Sequence, residues 1–244
     1  MAHAYLVDDL AATEPGATVV VTGQEARHAV TVSRVRVGEA LRVGDGRGLV
    51  VDGEVVEAAP DRLVLRVDRV RTEPLPERRL VLVQALAKGD RDELAVQAAT
   101  ELGVDEVVPW AAARSVSRWQ GPKVEKGLAR WRAIVREATK QAVRAHVPVV
   151  GPVASVRDLV ARASGSLVLV LEPSAGRALS SVDLAGTTGD VVVVVGPEGG
   201  IAPHELDALG EAGAVAVRLG DSVLRTSTAG PAALAVLAVG LGRW

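Results

Sequence analysis

Cysteine and phenylalanine are absent from the 244 residues, and aromatic residues as a whole make up only 2% of the chain. The absence of cysteine excludes a disulfide framework, a thiolate zinc site and a cysteine nucleophile. Because there are only one tyrosine and four tryptophans, the core must be built mainly from valine, leucine and alanine. The apolar share of 48% and the charged share of 24% are typical of a globular rather than a disordered chain.

Long hydrophobic runs and metal-ligand patterns are also lacking. The longest apolar candidate, AALAVLAVGL near the carboxy terminus, is far shorter than the roughly 20 residues that cross a bilayer, so we interpret it as a buried helix. The first residues, MAHAYLVDDLAATEPG, contain neither a basic leader nor a sustained apolar stretch, so no export signal is predicted. His204 and Glu205 are not part of an HExxH motif, and no histidine pair has metal-ligand spacing. We expect a cytoplasmic protein without membrane contact or metal.

Positive charge is concentrated in one segment, although the net charge of the chain is only −2. Residues 114–144 carry nine basic and two acidic side chains. Their pattern predicts a helix from about Pro122 to Ala145 with an apolar stripe. The stripe consists of Val124, Leu128, Trp131, Val135, Ala138 and Ala142. The cations outside it are either a solvated helix face or contacts to a phosphate backbone.

Two sequence patterns divide the chain. Residues 1–72 contain short apolar alternations separated by Gly, Pro and Asp, which predicts a small β-barrel or sandwich with GDGRG (44–48) as a hairpin turn. TEPLPE, with two closely spaced prolines, is typical of a linker. We therefore expect domains at 1–72 and 80–244, joined by a linker at 73–79.

From residue 80 onward, apolar strands alternate with helices, which predicts a largely parallel sheet covered on both faces. Asp90 and Glu93 are expected to form a capping box at the start of the first of these helices, and Gly103 to end it. Strands are predicted at VDEVVPW, SLVLVLEP, DVVVVVG and AVAVRLG, and helices at VRDLVARA and APHELDALGEAG. The last helix is expected to begin at about Thr226.

Three loops of this half are predicted to converge, because the carboxyl ends of parallel strands lie on one edge of the sheet. The first is GPEGG after five consecutive valines, where Gly196, Gly199 and Gly200 leave room for close approach of a ligand. A tight connection without any ligand is the alternative. The other two are LEPSAGR (171–177) and LGDSVLRT (219–226). We interpret Ser174 as a turn cap, since no GxSxG elbow surrounds it.

The chain as a whole resembles a known family. EVVPWAAARSV, RWRAIVREATKQAVR, VGPEGGIAPHEL and LGDSVLRTSTAGPAAL, in this order, resemble the RsmE family of 16S ribosomal RNA uridine-N3 methyltransferases, within the SPOUT class. HAVTVSRVRVGEALRVGDGRG resembles the PUA-like RNA-binding domain of that family. The resemblance implies an α/β fold: a SPOUT methyltransferase domain tied in a trefoil knot, preceded by a PUA-like β-barrel. It also implies a homodimer that binds S-adenosylmethionine and acts on 16S rRNA or the small ribosomal subunit.

Roles for individual residues are predicted from this resemblance, for the cofactor, and from the chemistry of methylation at N3, for the catalytic and RNA-binding residues. The cofactor would be held by Leu171, Glu172, Gly196, Pro197, Glu198, Gly199, Gly200, Leu219, Gly220, Leu224, Arg225 and Thr226. Arg225, assisted by Arg114 or Arg144, is the candidate for stabilising an ionised uracil, and Glu198 or Glu172 could offset the charge of the sulfonium. Contacts to rRNA are assigned to His28, Arg34, Arg36, Arg132, Arg136, Lys140 and Arg144.

The sequence departs from the family pattern at three positions. Ser227 and Ala113 stand where relatives often have an acid, and Ser33 replaces an apolar residue. We therefore assign no mechanism that needs an acid at 227 or 113, and no general base. Three alternatives remain open: a SPOUT enzyme acting on another RNA or atom such as a ribose 2′-hydroxyl, a noncatalytic RNA-binding assembly factor, and a nucleotide-binding α/β enzyme.

Overall fold

A computed structural model describes residues 3–186 and 188–244. The chain forms two compact units. The first contains Met1–Pro76 and Thr139–Val147, and the second contains Glu77–Ala138 and Pro148–Trp244. Residues 139–147, which the sequence assigned to the carboxy-terminal domain, therefore group with the amino-terminal unit. Within the described residues, none of the helices combines the length and apolarity required to traverse a bilayer.

The first unit is built around a five-stranded sheet. Its strands are β1 (His3–Leu6), β2 (Thr18–Thr22), β3 (Ala40–Gly44), β4 (Leu49–Ala59) and β5 (Arg62–Thr72). Their order is β1-β3-β4-β5-β2, with β1 parallel to β3 and the other pairs antiparallel. The core contains mostly valine, leucine and alanine with one aromatic residue, Tyr5, as the composition predicted.

Two details of the first unit bear on the predictions. GDGRG connects β3 to its antiparallel neighbour β4, so the predicted hairpin turn is confirmed. Gly48 has a φ of +111°, and a Cβ there would lie 2.8 Å from Cε1 of His146, so this glycine is required. The sequence did not predict the short helix α1 (Gly23–Arg27), which continues into a wider π-helical turn at His28–Val32.

The second unit contains a six-stranded, wholly parallel sheet. Its strands are β6 (Leu80–Ala85), β7 (Glu106–Trp110), β8 (Val149–Val150), β9 (Ser166–Leu171), β10 (Asp190–Val195) and β11 (Val215–Val217). Their order is β11-β9-β10-β6-β7-β8. Every valine of β10 is at most 2% exposed, so this strand is buried on both faces of the sheet.

Five helices accompany this sheet: α2 (Arg91–Glu101), α3 (Pro122–Gln141), α4 (Val156–Ala163), α5 (Pro203–Glu211) and α6 (Thr226–Gly240). Leu159 of α4 and Leu209 of α5 pack against one face, with Val81, Val83 and Val192. On the other face, α6 packs against β6 and β10 and beside α2. The sheet is therefore covered on both faces, as predicted, and the apolar run near the carboxy terminus is a helix with a buried face.

Two predicted helix ends are wrong. Asp90 has a φ of +58° and makes no side-chain cap for α2; Asp92 instead accepts hydrogen bonds from the N–H groups of Ala87 and Glu93. Helix α3 ends at Gln141 rather than at Ala145, because Val143 adopts a left-handed φ of +55° that an α-helix does not tolerate. Gly103, with a φ of +92°, does follow α2 as predicted.

A network of ion pairs lies at the amino ends of the parallel strands. Arg79, just before β6, binds Asp190 at the start of β10, with 2.6 Å between Nη2 and Oδ2. Glu106 at the start of β7 accepts from Arg162 of α4 at 2.5 Å and lies 3.5 Å from Arg79. Partial burial acts to raise the pKa of Asp190, but Arg79 outweighs this and lowers it. The network joins the starts of β6, β7 and β10 and helix α4 at the edge opposite the converging loops.

Candidate functional site

A cavity of about 440 Å³ lies at the carboxyl ends of three neighbouring strands in the second unit. Its walls come from residues following β9, β10 and β11, and these are the three loops that were predicted to converge. Cavities of roughly 300–1,000 Å³ are typical of small-molecule sites. The prediction that these three loops meet at one edge of the sheet is thus confirmed.

Most of the predicted cofactor residues line this cavity. They are Leu171, Glu172, Gly196, Pro197, Glu198, Gly200, Leu219, Gly220, Leu224, Arg225 and Thr226. Gly199 does not line it; its carbonyl accepts a hydrogen bond from Arg114 at 3.2 Å instead. Two further cations of the cavity wall, Arg91 and Arg218, were not predicted from the sequence. Their side chains reach it from α2 and from the end of β11, which a linear motif does not reveal.

The glycine turn after β10 is tightly packed. A Cβ at Gly196 would lie 2.7 Å from Cγ1 of Ile201, and Gly200 has a φ of +73°. The Gly196 carbonyl accepts a hydrogen bond from the Thr226 hydroxyl at 2.9 Å, which ties the turn to the first residue of α6. The amide of Gln84 donates to the same hydroxyl at 2.8 Å. These contacts fix the backbone that forms the floor of the cavity.

Charged groups on the cavity wall differ in whether they are already paired. Glu198 accepts hydrogen bonds from Arg91 at 2.9 Å and from the N–H of Lys88 at 3.2 Å. Partial burial acts to raise the pKa of Glu198, but these hydrogen bonds and the charge of Arg91 outweigh it and lower the pKa. The guanidinium of Arg225, in contrast, has no hydrogen-bond or ion-pair partner within residues 3–186 and 188–244.

The cavity has the features that S-adenosylmethionine would need. Leu171, Val195 and Leu219 provide apolar walls, and the glycine turn leaves backbone groups accessible. Glu198 supplies a carboxylate that its pKa keeps ionised, which suits a cationic sulfonium. Glu172 accepts hydrogen bonds from the hydroxyl and the N–H of Ser174, so the side chain that caps this turn is Glu172, and Ser174 is its donor.

The other two predicted catalytic residues do not line this cavity. Arg114 donates to the carbonyls of Gly199 and Ile201, so it supports the glycine turn from the neighbouring loop. That loop is also held by Glu205, which is buried and accepts from the N–H of Ala113 at 2.9 Å. Arg144 belongs to the first compact unit. Of the three predicted catalytic arginines, Arg225 is therefore the one on the cavity wall.

The predicted RNA-binding residues of the amino-terminal half are exposed to different degrees. Arg34 and Arg36 are exposed, and in the described part of the chain their side chains form no hydrogen bond or ion pair. His28 is half-buried, its ring lies edge-on to that of Tyr5 at 6.2 Å, and its Nδ1 is buried without a hydrogen bond. The two arginines are accessible to phosphate, whereas His28 is mainly a packing residue.

The predicted contact of Lys140 to RNA does not agree with the environment of its side chain. Its side chain is only 7% exposed, and its ammonium lies 3.2 Å from Oε1 of Glu25 within the first unit. A buried, paired ammonium does not offer its charge to an RNA backbone, so the structure contradicts a direct phosphate contact by Lys140. Arg132 is exposed but already paired with Glu125 at 2.7 Å, and Arg136 is half-buried.

The apolar stripe of α3 is confirmed over its central part, where Leu128, Trp131, Val135 and Ala138 are buried. The intervening cations therefore lie away from the core. In the part of the chain that the structure describes, histidine and acidic side chains form no group of three that could hold a metal ion.

Comparisons with known proteins agree with these features. The chain matches the RNA methyltransferase domain family over residues 73–238 and the RNA methyltransferase PUA domain family over residues 21–68. It is 48% identical to the ribosomal RNA small subunit methyltransferase E of Mycobacterium bovis over 250 aligned residues, covering 100% of this chain and 94% of that protein.

Two solved structures are similar over nearly the whole chain. The crystal structure of a ribosomal RNA small subunit methyltransferase E from Neisseria gonorrhoeae bound to S-adenosylmethionine superposes with a TM-score of 0.82 at 28% identity, covering 98% of both chains. A methyltransferase from Legionella pneumophila in complex with the same cofactor gives a TM-score of 0.83 at 25% identity, covering 97% of this chain and 96% of that one.

Proposed function

The chain belongs to the family of ribosomal RNA small subunit methyltransferase E, and from this premise we propose that it methylates N3 of one uridine in 16S rRNA, using S-adenosylmethionine. The coarser part, methylation of ribosomal RNA from this cofactor, follows from the family. The choice of N3 as the reacting atom is the finer part of the proposal. The observation that carries it is the guanidinium of Arg225, which lies on the wall of the cavity and has no hydrogen-bond or ion-pair partner among the described residues.

Methylation at N3 of uridine requires loss of a weakly acidic ring proton. The resulting negative charge is shared between N3 and the two flanking carbonyl oxygens. A fixed cation aimed at one of these oxygens stabilises the anion and lowers the pKa of the N3–H. Arg225 suits this role because no acid of the described chain neutralises it, and because it directly precedes α6, whose first residue is held by Gln84 and Gly196.

The residues around the cavity then have distinct tasks. When bound, S-adenosylmethionine supplies an electrophilic methyl group on a cationic sulfonium. Glu198, kept ionised by Arg91 and the N–H of Lys88, provides a compensating negative charge in the cavity. The glycine turn and the loop after β11 line the cavity and restrict the approach of the base, which makes the reaction effectively unimolecular.

RNA binding is the second part of the proposal. N3 lies on the Watson–Crick edge, so the uridine must be unpaired or extruded, at a cost of a few kcal/mol that phosphate contacts can offset. We assign those contacts to the exposed Arg34 and Arg36 of the first unit and to Arg132 and Arg136 on α3. Arg114 and Arg144 remain candidates for a contact to the target nucleotide, with Arg144 in the first unit.

The homodimer, the knotted topology and a cytoplasmic location belong to the same proposal. Helices α2 and α6 are packed together, and on them Leu94 is 56% exposed and Val239 is 62% exposed. Apolar side chains of this size on a helix surface are suited to contact with a second copy of the chain.

The test is methylation of 16S rRNA and of small subunits isolated from a strain that lacks this gene. Purified protein and S-adenosylmethionine should produce 3-methyluridine, measured by mass spectrometry of nuclease-digested RNA, with one site per 16S molecule. Another methylated nucleoside would favour a SPOUT enzyme with a different target atom. Cofactor binding without transfer to free rRNA, subunits or ribosomes would favour a noncatalytic assembly factor and would overturn the proposal.

For the RNA contacts, we expect the double variant Arg34→Ala/Arg36→Ala to bind rRNA more weakly and with a flatter salt dependence. Loss of two phosphate contacts to single-stranded RNA lowers the slope of log K against log salt by about 1.4. Filter binding of a 16S rRNA fragment at several salt concentrations measures this slope, while the affinity for S-adenosylmethionine should not change.

The matched control is Arg62→Ala/Arg66→Ala, which removes the same charge from the same unit. Arg62 and Arg66 are about half-exposed and already paired with Glu57 and Glu54. An equal fall of the slope in both double variants would mean that only net charge matters, and would contradict specific contacts by Arg34 and Arg36.

A further inference from the structure

Gln84 is the one polar side chain of β6, and it is completely buried. Side chains alternate along a strand, so Gln84 lies on the same face as Leu82, the face on which α6 packs. The close approach of α6 is visible at Gly230, where a Cβ would lie 2.9 Å from Cδ1 of Leu82. An amide in this position must be explained, because an aliphatic side chain would fill the same apolar space.

The amide of Gln84 begins a short relay of hydrogen bonds. Its Nε2 donates to Oγ1 of Thr226 at 2.8 Å, and Oγ1 in turn donates to the carbonyl of Gly196 at 2.9 Å. Thr226 and Gly196 line the cavity, whereas Gln84 lies behind them. The relay therefore connects three elements: strand β6, the first residue of α6 and the glycine turn after β10.

The other atom of the amide makes the arrangement unfavourable for stability alone. Oε1 of Gln84 is buried and has no hydrogen-bond partner in the described chain. A buried unsatisfied carbonyl oxygen destabilises the folded state, and an apolar side chain of similar size avoids that cost. Nε2 also donates to the carbonyl of the neighbouring Ala85 at 3.2 Å, but its shorter bond to Thr226 is the one that reaches the cavity wall, and this bond explains retention of an amide better than packing does.

We propose that Gln84 is a positioning residue for methyl transfer: through Thr226 it orients both the adjacent Arg225 and the Gly196 turn. Thr226 directly follows Arg225, so rotation of the first turn of α6 would move the guanidinium relative to the bound base. This inference rests on the proposed role of Arg225 in stabilising the ionised uracil.

The test uses Gln84→Met, which keeps the volume of the side chain and removes the donor. We expect kcat at saturating cofactor and RNA to fall roughly tenfold, since one well-placed hydrogen bond corresponds to about that factor. The pH dependence of kcat should move to higher pH, because a displaced Arg225 lowers the pKa of the N3–H less. The Kd for S-adenosylmethionine should stay within roughly threefold, and the melting temperature should be unchanged or higher.

Leu82→Met is the matched control, because it alters packing against the same helix without touching the relay; its kcat and pH profile should equal those of the wild type. Thr226→Val should reproduce the effects of Gln84→Met, and Thr226→Ser, which keeps the hydroxyl, should lose less activity than Thr226→Val. The combination Gln84→Met/Thr226→Val should be no worse than Thr226→Val alone, since both break one relay.

Two results would overturn the inference. One is a wild-type kcat and pH profile in Gln84→Met, and the other is a loss of activity that only follows a lower melting temperature. If Gln84→Met does not fold, an unaltered pH profile in Thr226→Val has the same consequence. Nucleoside analysis of the wild-type product is done first: a product other than 3-methyluridine contradicts the proposed function, whereas 3-methyluridine with an unaffected Gln84→Met contradicts only the positioning role.

Discussion

Arg225→Ala is expected to lower kcat for 3-methyluridine formation by roughly 100- to 1,000-fold, the effect of removing one preorganised group that stabilises a developing oxyanion. The Kd for S-adenosylmethionine should change little, because the apolar walls and the glycine turn are untouched. The pH dependence of the remaining activity should move to higher pH, since without the cation the pKa of the N3–H stays closer to its value in free uridine. Single-turnover kinetics at saturating cofactor, over a range of pH, measures both effects.

Arg218→Ala is the matched control, because Arg218 also lines the cavity and carries the same charge. Its Nη1 lies 3.7 Å from an oxygen of Asp221, so part of its field is already compensated. We expect less than a tenfold change in kcat and no shift of the pH profile. If Arg225→Ala raised only the Kd for the cofactor and left the saturated rate unchanged, Arg225 would be a ligand-binding residue and not the group that stabilises the uracil anion.

The arrangement of the cavity could be predicted from the sequence because its determinants are local. Five consecutive valines specify a strand buried on both faces, and GPEGG with Pro203 specifies a tight turn into a helix. Once the strands are parallel, their carboxyl ends share one edge, and the loops that follow must meet there. For this reason the three loops that form the cavity were predicted without any information about contacts distant in sequence, whereas Arg91 and Arg218 of its wall were not.

Residues whose environment depends on distant partners were predicted less well. From the sequence, Lys140 was predicted to be an exposed cation on a helix, like its neighbours. In the structure its ammonium is buried against Glu25, which lies 115 residues earlier. The grouping of residues 139–147 with the first unit was missed because the apolar stripe of α3 continues to Ala142 without a break. The left-handed conformation of Val143 has no sequence signal, since β-branched residues are disfavoured there.

Some missed residues did carry a signal. The glutamine within LVLVQALA interrupts an otherwise apolar buried strand, and a lone amide in such a run indicates a specific hydrogen bond. Arg91 begins α2, but its pairing with Glu198 depends on a residue 107 positions later. The capping box at Asp90 failed because a preceding glycine with a φ of +66° and the left-handed Asp90 route the chain so that Asp92 makes the local hydrogen bonds.

Glu106→Gln is expected to lower the free energy of unfolding at pH 7 by about 2–3 kcal/mol. The carboxylate of Glu106 is buried and compensates both Arg162, 2.5 Å away, and Arg79, 3.5 Å away. Removing one partner of a buried ion pair typically costs about 3–5 kcal/mol, and partial exposure of Arg79 and Arg162 reduces this. Equilibrium urea unfolding, followed by the fluorescence of the buried Trp110 and Trp131, measures the change.

Measurement at pH 7 separates the contribution of Glu106 to stability from that of its neighbour Asp190. Because folding lowers the pKa of Asp190, its stabilising contribution is present above its unfolded pKa of about 3.9 and is lost as the pH falls through the folded value. At pH 7 Asp190 is ionised and contributes fully in both the wild type and Glu106→Gln. The difference in their free energy of unfolding is therefore due to the loss of the Glu106 carboxylate. Activity per folded molecule should not change, since the network lies at the edge of the sheet opposite the cavity.

Glu125→Gln provides the control, because it removes the same charge from an exposed ion pair of the same unit. The side chains of Glu125 and Arg132 are 73% and 52% exposed, and pairs of this kind contribute less than about 1 kcal/mol. Equal destabilisation by the two substitutions would show that burial of Glu106 is not what makes its charge important. A large loss in Glu106→Gln alone would mean that the buried carboxylate at the start of β7 stabilises the fold through its ion pairs with Arg79, just before β6, and Arg162 of α4.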